Sequence, residues 1–214
     1  MAVAFQLNHR CMNAYLSGLF LSGSLILAIG SQNAFVLKQG LRKSHVFWIC
    51  LVCSLSDAAL ILTGVLGFSV VVRHAAHVVP FIKYAGALFL FVYGLLHFHA
   101  ALTKTEAMQD SRIEAPSLKR TLLVCLALTW LNPHVYLDTL LLIGSVSTRF
   151  PGQQWLFAAG GITASLVFFF SLGYGARLLL PLFKKPIAWK ILDLIVGVTM
   201  WVIAWQLVWG RSLG

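Results

Sequence analysis

The chain has 214 residues, of which 59% are hydrophobic and 10% charged, against about 45–50% and about 25% in an ordinary soluble domain. That mix excludes a soluble enzyme. Sixteen Lys and Arg against six Asp and Glu leave a net charge of +10, but the basic residues stand between long apolar runs, where they set membrane topology, and no nucleic-acid partner is expected.

A membrane-spanning helix needs about 20 mainly apolar residues. Six such stretches are predicted, at about 14–37, 45–70, 79–101, 120–147, 153–179 and 187–209, with membrane lipid as their surroundings. No polar stretch is long enough to fold separately, so 1–214 is expected to be a single all-α membrane domain.

The first stretch follows Arg10, and its apolar run exceeds the roughly 7–15 residues of a signal-peptide core, so it is expected to remain as a helix. It holds Gly30, Ser31, Gln32 and Asn33 between LILAI and AFVL. Two adjacent amides at membrane depth are costly unless they bond to a neighbouring helix or a ligand.

The second stretch carries Asp57 near its middle, in CSLSDAALIL, with no basic residue close by in that helix. A carboxylate at the centre of a spanning helix costs at least about 2.5–3.5 kcal/mol on insertion scales, faces the bundle interior and marks a transport path. A cation or proton site is preferred here over a structural ion pair. Cys50, Cys53 and Asp57 also fall on one helix face, and soft and hard ligands together make divalent metal efflux the alternative reading. Against it, Cys is commonly a small buried apolar residue. His74 and His77 are expected in a loop, and His97 and His99 on different faces of a helix end, so no metal site is assigned.

The polar linker, about 103–118 with TKTEAMQDSRIEAPS, is expected to be a solvated cytoplasmic connection between two groups of three helices. In the fourth stretch Pro133 has no N–H for the carbonyl of Thr129, so the helix should kink or break there, with Asn132 at the break. Non-helical backbone in a membrane is tolerated only where protein or a water-lined cavity surrounds it, which makes the break a place for a substrate amino or carboxylate group. Asp138 lies five residues beyond Pro133, with His134 on its face. Trp130 either lines the pathway or packs in the core. Gly160 and Gly161 should permit close helix approach. Asp193, three residues after Lys190, is expected to form an exposed surface pair.

Setting Asn33 against Asn132 and Asp57 against Ser165 pairs Thr63 with Ser171 and Gly67 with Gly175. Halves of three helices each would be inverted repeats, as in an alternating-access carrier. For orientation, Lys38, Arg42, Lys43, Lys104, Arg112, Lys119, Arg120, Arg177, Lys184, Lys185 and Lys190 fall on one side, and Arg10, Arg73, Lys83, Arg149 and Arg211 on the other. The richer side is expected to be cytoplasmic, with both termini outside.

The stretches IGSQNAFVLKQGLR, VCSLSDAALI, LTWLNPHVYLDTLLLIGS, GGITASLVFFF and VGVTMWVIAWQL closely resemble the LysE-type exporters of lysine and arginine. The resemblance implies a small carrier of the bacterial inner membrane that exports basic amino acids on the electrochemical gradient, without enzymatic activity or cofactor. By matching motifs, Gln32 and Asn33 correspond to the family's helix 1 signature, Asp57 to its helix 2 aspartate, and Asn132, Pro133 and Asp138 to its helix 4 signature. Ser31 stands where many members have proline, which predicts a less sharply broken helix 1.

Moving a cation out of a negative interior is uphill by about 2.3 kcal/mol per 100 mV per charge, so export needs an inward coupling ion, most simply a proton. Asp57 would hold either a proton or the cationic amino acid, and Asp138 would be the second carboxylate, toward the outside. A bundle of this size is compatible with a single copy or a homo-oligomer. A purely structural membrane protein, the remaining rival, should not place two aspartates and several helix-breaking residues at membrane depth.

Overall fold

A computed structural model describes residues 2–27, 30–103, 117–184 and 186–209, and among these the regular structure is helical, with no strand. The α-helices are α1 (Ala2–Ile26), α2 (Ser31–Arg42), α3 (Val46–Thr103), α4 (Leu118–Trp130), α5 (Pro133–Tyr136), α6 (Gly144–Ser147), α7 (Gln154–Gly175) and α8 (Pro186–Trp209). A π-helical segment, Leu137–Ile143, joins α5 to α6. Four segments are long and apolar enough to cross a membrane: Val46–Gly67, Lys83–Thr103, Gln154–Leu179 and Ile187–Trp209. Two bent pairs add a fifth and a sixth span if each counts as one: Cys11–Ile26 with Ser31–Arg42, bent by 80°, and Leu118–Trp130 with His134–Ser147, bent by 61°.

The second and third predicted stretches are joined by helix rather than by a loop. Residues 68–82 continue α3, whose one non-helical position is Gly67 at φ −112° and ψ 16°, so the backbone at His74 and His77 is helical. Residues 68–79 contain no Gly, Pro, Asn or Asp from which a turn is readily built. The charged residues of the polar linker, 104–116, lie outside the described residues.

The first stretch is two helices, bent by 80° against the 61° of the pair at Pro133. Gly30 is extended, at φ −111° and ψ 174°, and sits at the N-cap of α2. Asn33 Nδ2 reaches back to donate to the Ile26 carbonyl at 2.7 Å, satisfying one of the acceptors left at the end of α1. α2 then runs to Arg42, so Lys38 is helical and buried instead of lying in a loop.

α1 lies along α7 through small residues. A Cβ on Gly160 would collide with the backbone carbonyl of Tyr15, and one on Gly18 with that of Phe157; at Gly161 it would come within 2.6 Å of Ser22 Oγ. Backbone cannot yield as a side-chain tip can, and overpacking of this kind costs about 1–3 kcal/mol or more. Gly160→Val is expected to prise α1 from α7 and lower the melting temperature of the detergent-solubilised protein by several degrees. An unchanged melting temperature in a fluorescence or calorimetric scan would contradict this close packing.

The second span of α3 packs against α8, where Phe91 and Trp201 stack at 5.2 Å between ring centroids. Its first span packs against α7 and against the π-helical segment. Gly64 makes the latter contact possible, because a Cβ there would strike the carbonyl of Thr139.

Candidate functional site

The break in the fourth stretch follows from its backbone donors and acceptors. α4 ends at Trp130, and Asn132 N–H bonds the Thr129 carbonyl at 3.3 Å, in place of the bond Pro133 has no N–H to make. Proline is favoured in the first turn of a helix because its missing donor is not needed there, and Pro133 opens α5. Asn132 caps the new helix: its Oδ1 accepts from His134 N–H at 3.1 Å and its carbonyl from Val135 N–H at 3.2 Å. Tyr136 Oη donates to the Trp130 carbonyl at 2.7 Å. The exposed backbone groups of the break thus find partners within the segment itself. Beyond α5 the chain enters the π-helical segment that carries Asp138, and such segments recur at functional sites because they re-aim side chains.

The two breaks face one cavity of about 320 Å³. Its wall brings together Gln32 and Asn33 from α2, Asp57 from α3, Asn132 from the second break and Asp138 from the π-helical segment. Five of the six residues singled out in the sequence therefore meet. The sixth, Pro133, contributes by breaking the helix. Thr139, Phe169, Gln206 and His134 also line it, among apolar residues such as Ile61 and Ile203; nothing in the spacing of Phe169 or Gln206 separates them from other residues of their apolar runs.

Asp57 is 5% exposed, and Ser165 Oγ of α7 donates to its Oδ2 at 2.8 Å. Among the described residues the ion pairs all involve Asp193, so neither Asp57 nor Asp138 is held by a cationic side chain there. Gln32 is buried, and its Nε2 has no hydrogen-bond partner among the described residues. The wall thus offers two carboxylates and a buried amide donor, next to the N-terminal turn of α2, whose amide groups carry partial positive charge. An ammonium or guanidinium suits the first, and a carboxylate suits the last two.

Cys50 and Cys53 do not line this cavity. Cys50 Sγ donates to the Phe169 carbonyl at 3.1 Å, and Cys53 Sγ lies 3.2 Å from Cys125 Sγ. Among the described residues no group of three or more His, Cys, Asp or Glu is arranged to hold a metal. Trp130 lies outside the cavity wall as well, its Nε1 donating to Ser56 Oγ at 3.2 Å. Asp193 departs most from expectation. Rather than pairing at the surface with Lys190 it is 2% exposed, bonded to Lys38 and His97.

Against known proteins, the family model described as LysE type translocator matches residues 23–211. Arginine exporter protein ArgO of Serratia proteamaculans is 38% identical over 201 residues, covering 93% of this chain and 98% of that protein. The ArgO of Pectobacterium carotovorum is 37% identical, covering 90% and 95%. Putative amino-acid transporter Rv0488 of Mycobacterium tuberculosis is 41% identical, covering 83% and 88%. No solved structure matches. With matches that run through both broken helices and all of the cavity wall, the chain belongs to the LysE type translocators, as a multi-pass protein of the inner membrane.

Proposed function

We propose that the chain exports arginine, and also lysine, in exchange for protons that enter at the same cavity. The observation that carries this reading is Asp57, a buried carboxylate with a neutral hydroxyl as its hydrogen-bond donor, in the wall of a cavity between two broken helices. Relatives named as arginine exporters supply the substrate class. The α-carboxylate of the substrate would sit at the N-terminal turn of α2 beside Gln32, and its cationic side chain at Asp57 or Asp138. Since Asp57 accommodates a proton or a cation but not both, entry of one releases the other, and exchange follows without covalent chemistry.

Inverted repeats are part of the proposal. Ser165, which the repeat alignment sets against Asp57, is the residue that hydrogen-bonds it, a relation that supports a pseudo-two-fold axis passing near the pair. Six spans, with the basic connections on the cytoplasmic side, complete the proposed topology.

The test is efflux of radiolabelled arginine and lysine from proteoliposomes, with and without an imposed pH gradient. Acceleration of either by a gradient that drives protons the opposite way supports the antiporter. Efflux indifferent to pH, with well-inserted protein, would reject protons as the coupling ion, and no flux of either amino acid would reject the substrate class.

Asp138 is less enclosed than Asp57 and sits on the π-helical segment. Asp138→Asn is accordingly expected to cut the efflux rate about tenfold, with a smaller change in the half-saturating concentration. This separates a relay carboxylate from the main substrate ligand; the opposite split in a concentration series would exchange the two roles.

A further inference from the structure

α2 is a 12-residue helix between two non-helical joints. At one end is the extended Gly30; at the other Lys43 and His45 are both left-handed, at φ 55° and 52°, a conformation uncommon for residues with a Cβ. The substrate end carries Gln32 and Asn33 in the cavity wall. Further along, Lys38 is 6% exposed and reaches Asp193 of α8 and His97 of the second span of α3, residues 2% and 6% exposed. His97 Nδ1 lies 2.7 Å from Asp193 Oδ1, and Lys38 Nζ lies 3.3 Å from the same nitrogen. The Tyr93 ring closes one side, edge to face with the imidazole at 4.9 Å between centroids.

A cluster of this kind is not needed to hold a bundle together. Replacing a buried ion pair by apolar groups of matching shape is often neutral or stabilising, because desolvation offsets the attraction. What an ion pair supplies that apolar contact does not is two discrete states, made and broken. Charged side chains inside membrane bundles are correspondingly concentrated on working parts. Here the pair acts on a lever: α2 spans about 18 Å at 1.5 Å per residue, so motion at Lys38 is carried to Gln32 and Asn33. A half-helix with joints at both ends is also the element that hinge motions use.

We propose that Lys38, His97 and Asp193 form a latch that holds α2 against α3 and α8 in one state of the carrier and opens in the other. They are positioning residues for turnover and do not bind the substrate. The inference rests on the export reading above, and its test separates the two. The double variant Lys38→Met with Asp193→Leu removes both charges and leaves no buried ion unpaired. It is expected to insert normally, to be stabilised thermally by arginine as the wild type is, and to lose at least tenfold in maximal efflux while the half-saturating concentration moves less than about twofold. Amide hydrogen exchange, which does not depend on transport, should accelerate across 31–42 and not in α7.

Should the apolar pair fail to insert, Asp193→Asn, which keeps the shape and removes the counter-charge, is expected to show the same split and the same accelerated exchange. Wild-type efflux with unchanged exchange in α2 would overturn the latch and leave a packing role. Loss of arginine binding together with rate would place the cluster in the substrate site. If wild-type protein moves no arginine, the export reading fails on its own, and exchange in 31–42 still decides the latch.

Discussion

Asp57→Asn is expected to insert and fold at least as well as the wild type and to lose gradient-driven arginine efflux by at least a hundredfold. The two side chains have the same shape, and Ser165 Oγ, which donates to Asp57 Oδ2, can donate equally to an amide oxygen. Packing is therefore conserved while a buried anion disappears. Its removal relieves part of an insertion cost that is at least about 2.5–3.5 kcal/mol for the aspartate, so the melting temperature should hold or rise. Stability held or gained while function is lost marks a group retained for its work rather than for the fold. If Asp57 is where proton and cation exclude one another, the residual flux should also stop responding to the pH gradient. Gradient-stimulated efflux at the wild-type rate in Asp57→Asn would remove the shared-carboxylate mechanism, whatever the substrate proves to be.

Much of this site is legible in the sequence because its signals are local. Pro133 lacks a donor in any fold, and Asp57 is costly in any membrane helix, so each marks itself without knowledge of its neighbours. The cavity gathers these residues because breaks in membrane helices need protein or water around them. Three features escape a local reading. The bend between Ile26 and Ser31, 80°, exceeds the 61° at Pro133, although no proline marks it in the sequence. The helical course of 68–82 depends on the absence of turn residues, a weaker signal than the presence of a breaker. Asp193 has a basic residue three positions before it, a sufficient partner by spacing, yet it pairs with Lys38, 155 residues away in the chain. The two groups are buried where α2, α8 and the second span of α3 meet, and no sequence window contains both.

Asn132 should separate two duties that the cavity wall combines. Its Oδ1 caps α5 by accepting from His134 N–H at 3.1 Å, and its amide also stands in the cavity wall. Loss of an N-cap costs about 0.5–2 kcal/mol, and in a membrane the orphaned N–H has no bulk water to turn to. Asn132→Ala is therefore expected to lower the melting temperature and to reduce efflux at low arginine concentration by about thirtyfold or more. Asn132→Ser keeps a capping oxygen, as serine is among the favoured N-cap residues, but has no amide and is too short to extend into the cavity. It should recover the stability and not the affinity. Arginine efflux as a function of concentration, beside thermal melts of the three proteins, reads the two duties independently. Recovery of both by serine would assign Asn132 to the break alone and leave substrate recognition to Gln32, Asp57 and Asp138, whereas recovery of neither would mean that the amide holds the break through its N–H₂ as well as its oxygen.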